Sequence, residues 1–191
     1  MNKDKKYMKV NLTSKQQIEE MLDKILYPVE QFCIEKQELN ILDDWNELSH
    51  NKERLLQIAN EMENGKKYEL YVYYIEQDEK VIAVVFFLHE HEAIKKILEK
   101  CNIPEKENVN CMQLTCFHIL RAYRGGLGLT WLKEYIFPDI MHMGIKTIYV
   151  KSSHRKALSF YERLGTKIGN YIGVSDTGQY QRVGNIYKIE L

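Results

Sequence analysis

Ile119-Leu120-Arg121-Ala122-Tyr123-Arg124-Gly125-Gly126-Leu127-Gly128-Leu129 is the stretch on which the reading of this chain turns. The β-rich run Met112–Leu120 leads into it, and Trp131, Leu132, Tyr135 and Ile136 follow as a helix. It therefore reads as strand, glycine loop and helix start. Amides at a helix start have no partner within the helix and carry partial positive charge, so they attract phosphate. Glycines let the backbone approach an anion with no Cβ in the way. A glycine turn that merely enters a helix looks the same, so the loop alone decides little.

The second signal lies about thirty residues on, where a short buried strand, Thr147–Val150, leads to Ser153-His154-Arg155-Lys156-Ala157-Leu158-Ser159-Phe160-Tyr161-Glu162-Arg163-Leu164-Gly165. This run resembles the GNAT acetyltransferase pattern Asn-x-x-Ala-x-x-Phe/Leu-Tyr-x-x-x-Gly. The earlier loop resembles the same family's Arg/Gln-x-x-Gly-x-Gly/Ala pyrophosphate motif. Both occur in the family's order and spacing, over about Met112–Tyr171; across the N-terminal half the resemblance rests on the order of elements. Two departures stand out. Counted from Arg124, the glycines fall at Gly126 and Gly128, one residue early, and His154 replaces the usual Asn.

The resemblance implies an α+β fold: a mixed, mostly antiparallel central β-sheet with helices on both faces. It implies acetyl-CoA as cosubstrate, with no metal. It points to Ile119, Leu120, Arg121, Arg124, Gly125, Gly126, Leu127, Gly128, Leu129, His154, Ala157 and Tyr161 as the residues holding that cofactor. The strand Thr115–Arg121 would bare main-chain groups to the pantetheine, and a bared N–H beside the carbonyl would serve as oxyanion donor. The shortened loop leaves phosphate chiefly to backbone amides. Tyr161 sits where the family places its acid, and a phenol at ~10 can protonate a departing thiolate whose thiol titrates near ~8.5. Read without the family, Tyr161 is a core aromatic beside Phe160.

An alkyl amine with a lysine-like pKa of ~10 must lose a proton before attack. His118 titrates in a suitable range and is the candidate base, although strand alternation can equally turn it away. Glu90 and Glu92 are alternatives acting through water, and as strand-end acids they read more simply as solvated charges. His89-Glu90-His91-Glu92 shows no third ligand for a metal, and Cys33, Cys101, Cys111 and Cys116 show no zinc-site spacing.

Composition narrows the rest. With 191 residues and 45% hydrophobic residues, the chain can bury a core without staples. No composition break or repeat appears, so residues 1–191 read as a single domain with 91–110 as an insertion. Twenty-seven basic residues balance 27 acidic ones, which gives no global drive towards nucleic acid or an anionic membrane. No apolar run approaches the ~20 residues of a membrane span and no signal peptide is apparent, so a cytoplasmic protein is expected. Disulfides are not expected, and a homodimer is left open.

The remaining elements follow from period and punctuation. Tyr7–Leu12 reads as a strand, and Ser14 with Gln17 as a capping box opening a helix to about Tyr27. A second helix spans about Asn51–Asn64. Tyr68–Glu76 and Lys80–Leu88 form a hairpin around Gln77–Glu79, the second run apolar on both faces and hence central. His91–Cys101 is helical. Pro138 must kink or split the helix that follows the glycine loop. Lys156–Leu164 is a helix stopped by Gly165, and strands Lys167–Val174 and Arg182–Glu190 finish the chain. The expected activity is transfer of the acetyl group of acetyl-CoA to a primary amine of a small molecule or peptide. The alternative is a non-catalytic acetyl-CoA-binding module acting as sensor or scaffold. Nucleic-acid modification is the weaker third reading for a neutral chain.

Overall fold

A computed structural model of the protein describes residues 4–38, 47–104, 110–174, 178 and 181–191. Part of the expected insertion, residues 105–109, lies outside these. Seven strands form one sheet: β1 (Lys6–Leu12), β2 (Glu69–Gln77), β3 (Lys80–His89), β4 (Cys111–Ile119), β5 (Thr147–Ser152), β6 (Thr166–Val174) and β7 (Gln181–Glu190), in the order β1-β2-β3-β4-β5-β7-β6. The β4–β5 pair is parallel, whereas β1–β2, β5–β7 and β6–β7 are antiparallel. Helices flank the sheet, so the class is the mixed α+β one expected. By internal contact the chain divides into two compact units, Met1–Leu88 with Cys116–Gly125, and His89–Thr115 with Gly126–Leu191.

In the first unit, the Ser14 hydroxyl accepts from the Gln17 N–H, and the Gln17 side chain reaches back to the N–H of Thr13 rather than to Ser14 itself. This modified box opens α1 (Lys15–Met21), which does not stop at Tyr27. It passes through a π-helical turn, Leu22–Leu26, into α2 (Tyr27–Glu35), which carries Pro28 in its first turn. The Tyr27 N–H reaches back five residues to the Leu22 carbonyl. The wider turn accommodates a residue that has no N–H and whose ring would strike the carbonyl four residues earlier. Ile18, Leu22, Ile25, Leu26, Val29 and Cys33 are buried along this helix. Leu48, Leu55, Ile58 and Ala59 are buried along α3 (Glu47–Glu63). The β2–β3 turn puts Asp78 and Glu79 at φ +53° and +59°, the left-handed pair that a two-residue hairpin requires. Ile82–Leu88 is buried at every position, as a strand covered on both faces must be.

In the second unit, α4 (His91–Lys100) is capped by the Glu90 carboxylate, which accepts from the Ala93 N–H at 3.0 Å. Glu90 is buried, so it is a structural cap and not the solvated charge expected of it. The helix places Ile94, Ile97 and Leu98 in one cluster with Cys111, Tyr149 and Ile186. Pro138 splits the glycine-loop helix by the same device as Pro28: α5 (Leu127–Trp131) widens into a π turn, Leu132–Ile136, before α6 (Phe137–His142). Then come β5, α7 (Arg155–Glu162) and the β6–β7 hairpin, which carries a register shift between Lys167 and Gly169.

Candidate functional site

The loop at the start of α5 owes its shape to two glycines. Gly125 and Gly126 stand at φ +103° and +114°, backbone that residues with a Cβ avoid. A Cβ at either position would meet nothing within 4 Å, so the demand is conformational rather than a matter of space. Gly126 is the N-cap residue, and its carbonyl accepts the N–H of Thr130 at 3.1 Å. The amides of Leu127, Gly128 and Leu129 precede that first helical bond and have no acceptor within the helix. This is the arrangement that binds anions at helix starts.

Upstream, the main-chain groups of Ile119, Leu120 and Arg121 already have partners. The Leu120 N–H donates to the Ile82 carbonyl at 3.0 Å, and the Arg121 N–H to Glu38 Oε2 at 2.8 Å. The Ile119 carbonyl accepts from Arg124 Nε at 2.8 Å, so that guanidinium folds back on its own strand. Paired register between β4 and β5 covers Cys111–Leu114, while β4 itself continues to Ile119.

His118 lies in the same unit and its Nε2 is 3.3 Å from Cys33 Sγ, with Glu38 Oε2 4.0 Å from that sulfur. Burial, then the Arg124 charge, pushes the imidazole down to about 4. Burial and the Glu38 carboxylate push the Cys33 thiol up to about 11, against the opposing charges of Arg124 and Lys80. At neutral pH the pair is therefore an uncharged thiol and an uncharged ring, with the sulfur facing both the imidazole nitrogen and the Glu38 carboxylate.

In the second unit, Tyr161 is buried near the end of α7, its ring 5.4 Å from that of Phe160 and 5.7 Å from that of Tyr187. His154 is the N-cap residue of α7 but makes no capping bond with its side chain, and its carbonyl accepts the N–H of Ala157 at 2.8 Å. Gly165 does more than stop the helix. A Cβ there would lie 2.3 Å from the Lys188 carbonyl, so the glycine lets the end of α7 lie directly on β7.

The structure thus brings His118 and the Arg121 amide to Glu38, keeps Ile119, Leu120 and Arg124 in the same unit, and carries Gly126–Leu129 and the α7 residues in the other. Sequence reasoning missed Cys33 and Glu38 as partners of this region. They are 85 and 80-odd positions from what they touch, and no local motif links them.

No protein-family model matches the sequence, and no curated protein matches it. Solved structures do. A presumed GNAT-family acetyltransferase from Desulfovibrio desulfuricans has a TM-score of 0.53 and 12% identity, covering 97% of this chain and 99% of that one. An N-acetyltransferase from Staphylococcus aureus gives 0.51 and 13%, covering 97% and 98%. An IAA acetyltransferase from Bacillus cereus gives 0.50 and 14%, covering 97% and 100%. These likenesses, together with the strand order and the glycine loop, identify the fold of this chain as that of the GNAT acetyltransferases.

Proposed function

We propose that the protein transfers the acetyl group of acetyl-CoA to a primary amine of a small molecule or peptide, within a ternary complex. The observation that carries this reading is the Gly125-Gly126 turn, which leaves the Leu127, Gly128 and Leu129 amides without helical acceptors on an acetyltransferase fold. Those amides hold the pyrophosphate. The amine lone pair attacks the thioester carbon, the C–N bond forms, and the oxyanion collapses as the C–S bond breaks. Tyr161 gives its phenolic proton to the departing thiolate, the nitrogen that attacked releases one proton to solvent as the amide forms, and solvent returns one to the phenol, so the protons balance.

His118 is a poor base in this scheme. Its Nε2 faces the Cys33 thiol and its conjugate acid is already strong. The amine therefore sheds its proton to water before attack. The rate should climb with pH as the free amine accumulates, without a histidine inflection between pH 6 and 7. Such an inflection, abolished in His118→Gln, would return the base to His118.

The non-catalytic alternative draws on one feature, the internal engagement of the Ile119 carbonyl and Arg121 N–H. A panel of amines incubated with acetyl-CoA and a thiol reagent separates the two. Amine-dependent thiol release supports transfer. Tight acetyl-CoA binding with no release across the panel would sink it and leave a sensor or scaffold.

A further inference from the structure

Cys33, Glu38 and His118 come from three parts of the first unit: the buried face of α2, the segment just after that helix, and β4. One donor atom from each lies within 4.8 Å of the other two. We propose that these three side chains bind a thiophilic divalent cation, zinc by the chemistry of the set, through the Cys33 thiolate, His118 Nε2 and a Glu38 carboxylate oxygen.

The spacing supports this reading. Tetrahedral zinc with bonds of roughly 2.3 Å to sulfur and 2.0–2.2 Å to nitrogen and oxygen sets its ligand atoms about 3.5 Å apart. The sulfur here is 3.3 Å from the nitrogen and 4.0 Å from the carboxylate oxygen, and the nitrogen and oxygen lie within 4.8 Å of each other, so a closing movement of the Glu38 side chain admits the ion. The ligands offset the charge of the ion itself. A thiolate and a carboxylate together neutralise a dication, which matters where Cys33 is fully buried. Softness selects the metal: a sulfur and an imidazole favour zinc-like ions over magnesium or calcium, which take oxygen sets.

The surroundings fix the ligands as well. The Arg121 N–H donates to Glu38 Oε2 at 2.8 Å and so holds the carboxylate in place. Arg124 and Lys80 are close enough to act on the Cys33 sulfur, and both favour its thiolate form. Binding displaces the thiol proton to solvent, so one proton leaves for each ion taken up. Water supplies the fourth position. None of this depends on acetyl transfer, because His118 takes no part in that scheme.

The test uses the full chain, stripped by a chelator and titrated with cobalt(II) as the probe. One equivalent should produce the near-ultraviolet thiolate-to-cobalt charge-transfer band with tetrahedral visible bands, and one equivalent of zinc should erase them. Cys33→Ser should lose the charge-transfer band. His118→Gln and Glu38→Gln should weaken zinc at least as much as the roughly 10–100-fold that removing a partner of a ligand costs. Circular dichroism checks that each variant folds. If Cys33→Ser does not, the wild-type band and the Glu38→Gln titration still decide. Absence of the band in wild type overturns the site, as does unchanged zinc affinity in His118→Gln and Glu38→Gln. In those cases the three groups are a thiol–imidazole hydrogen bond and an amide cap, and nothing more. No readout involves acetyl-CoA, so failure here leaves the transfer reading standing, and failure of transfer leaves this one standing.

Discussion

At Gly126–Leu129 the working groups are main-chain amides, and at Cys33, Glu38 and His118 they are side chains. The amides are adjacent in sequence and aimed by two left-handed glycines. The side chains are drawn from positions as far as 85 residues apart and aimed by the packing of α2 against the rest of its unit. A site made of backbone needs particular residues next to one another, so it writes a local pattern. A site made of distant side chains needs only that each arrive, and its residues look ordinary where they stand.

The contrast breaks first at α7. Tyr161→Phe should lower the transfer rate by about 10²–10⁴-fold, the usual scale for a lost general acid, with acetyl-CoA affinity unchanged. Equal loss of binding would make Tyr161 a packing residue, as its contacts with Phe160 and Tyr187 allow.

The side-chain cluster makes its own demand on stability. Between pH 6.5 and about 4 the unfolded chain binds a proton on His118 that the folded protein excludes. Stability of the chelator-treated protein should therefore fall as pH drops through that window, by roughly 3 kcal/mol from this group if the ring stays neutral to about 4. Urea midpoints across the range check it, and His118→Gln should flatten the slope. A slope unchanged by that substitution would place the effect elsewhere.

The backbone half answers to a smaller change. Gly126→Ala forces a Cβ into positive φ outside the left-handed helical well at a cost of about 1–3 kcal/mol, and acetyl-CoA binding should weaken about tenfold or more in calorimetry. Unchanged affinity would remove the loop as the phosphate cradle. Smallest of all, Arg124→Met breaks the bond to the Ile119 carbonyl and should cost about 1 kcal/mol of stability in the same denaturation experiment. A larger loss of cofactor affinity than of stability would mean that its guanidinium turns to the phosphate when acetyl-CoA arrives.

The same difference explains what the sequence disclosed. The hairpin around Asp78 and Glu79, the central strand β3, the strand before the glycine loop and the final two strands were all legible, because period and turn residues act locally. The apolar period of the first helix gives out at about Tyr27, yet a π turn carries the chain past Pro28 through to Glu35. Pro138 was rightly expected to interrupt its helix, and the interruption takes the same form. Gly165 was legible as a stop, but its closeness to the Lys188 carbonyl belongs to the α7–β7 contact and has no local mark. Glu90 reads as a surface acid until the helix it caps is seen. The pairing of Cys33 with His118 depends on how α2 meets β4, which no spacing within either segment encodes.

The central claim, acetyl transfer, is tested most directly by measuring binding and chemistry on one preparation. Acetyl-CoA affinity is determined by calorimetry, and the same sample is then given an amine mixture and followed for free thiol and for acetylated amine by mass. The account predicts saturable acetyl-CoA binding and one acetylated amine for every thiol released. Binding without either product, or thiol release with no acetylated amine, would contradict it.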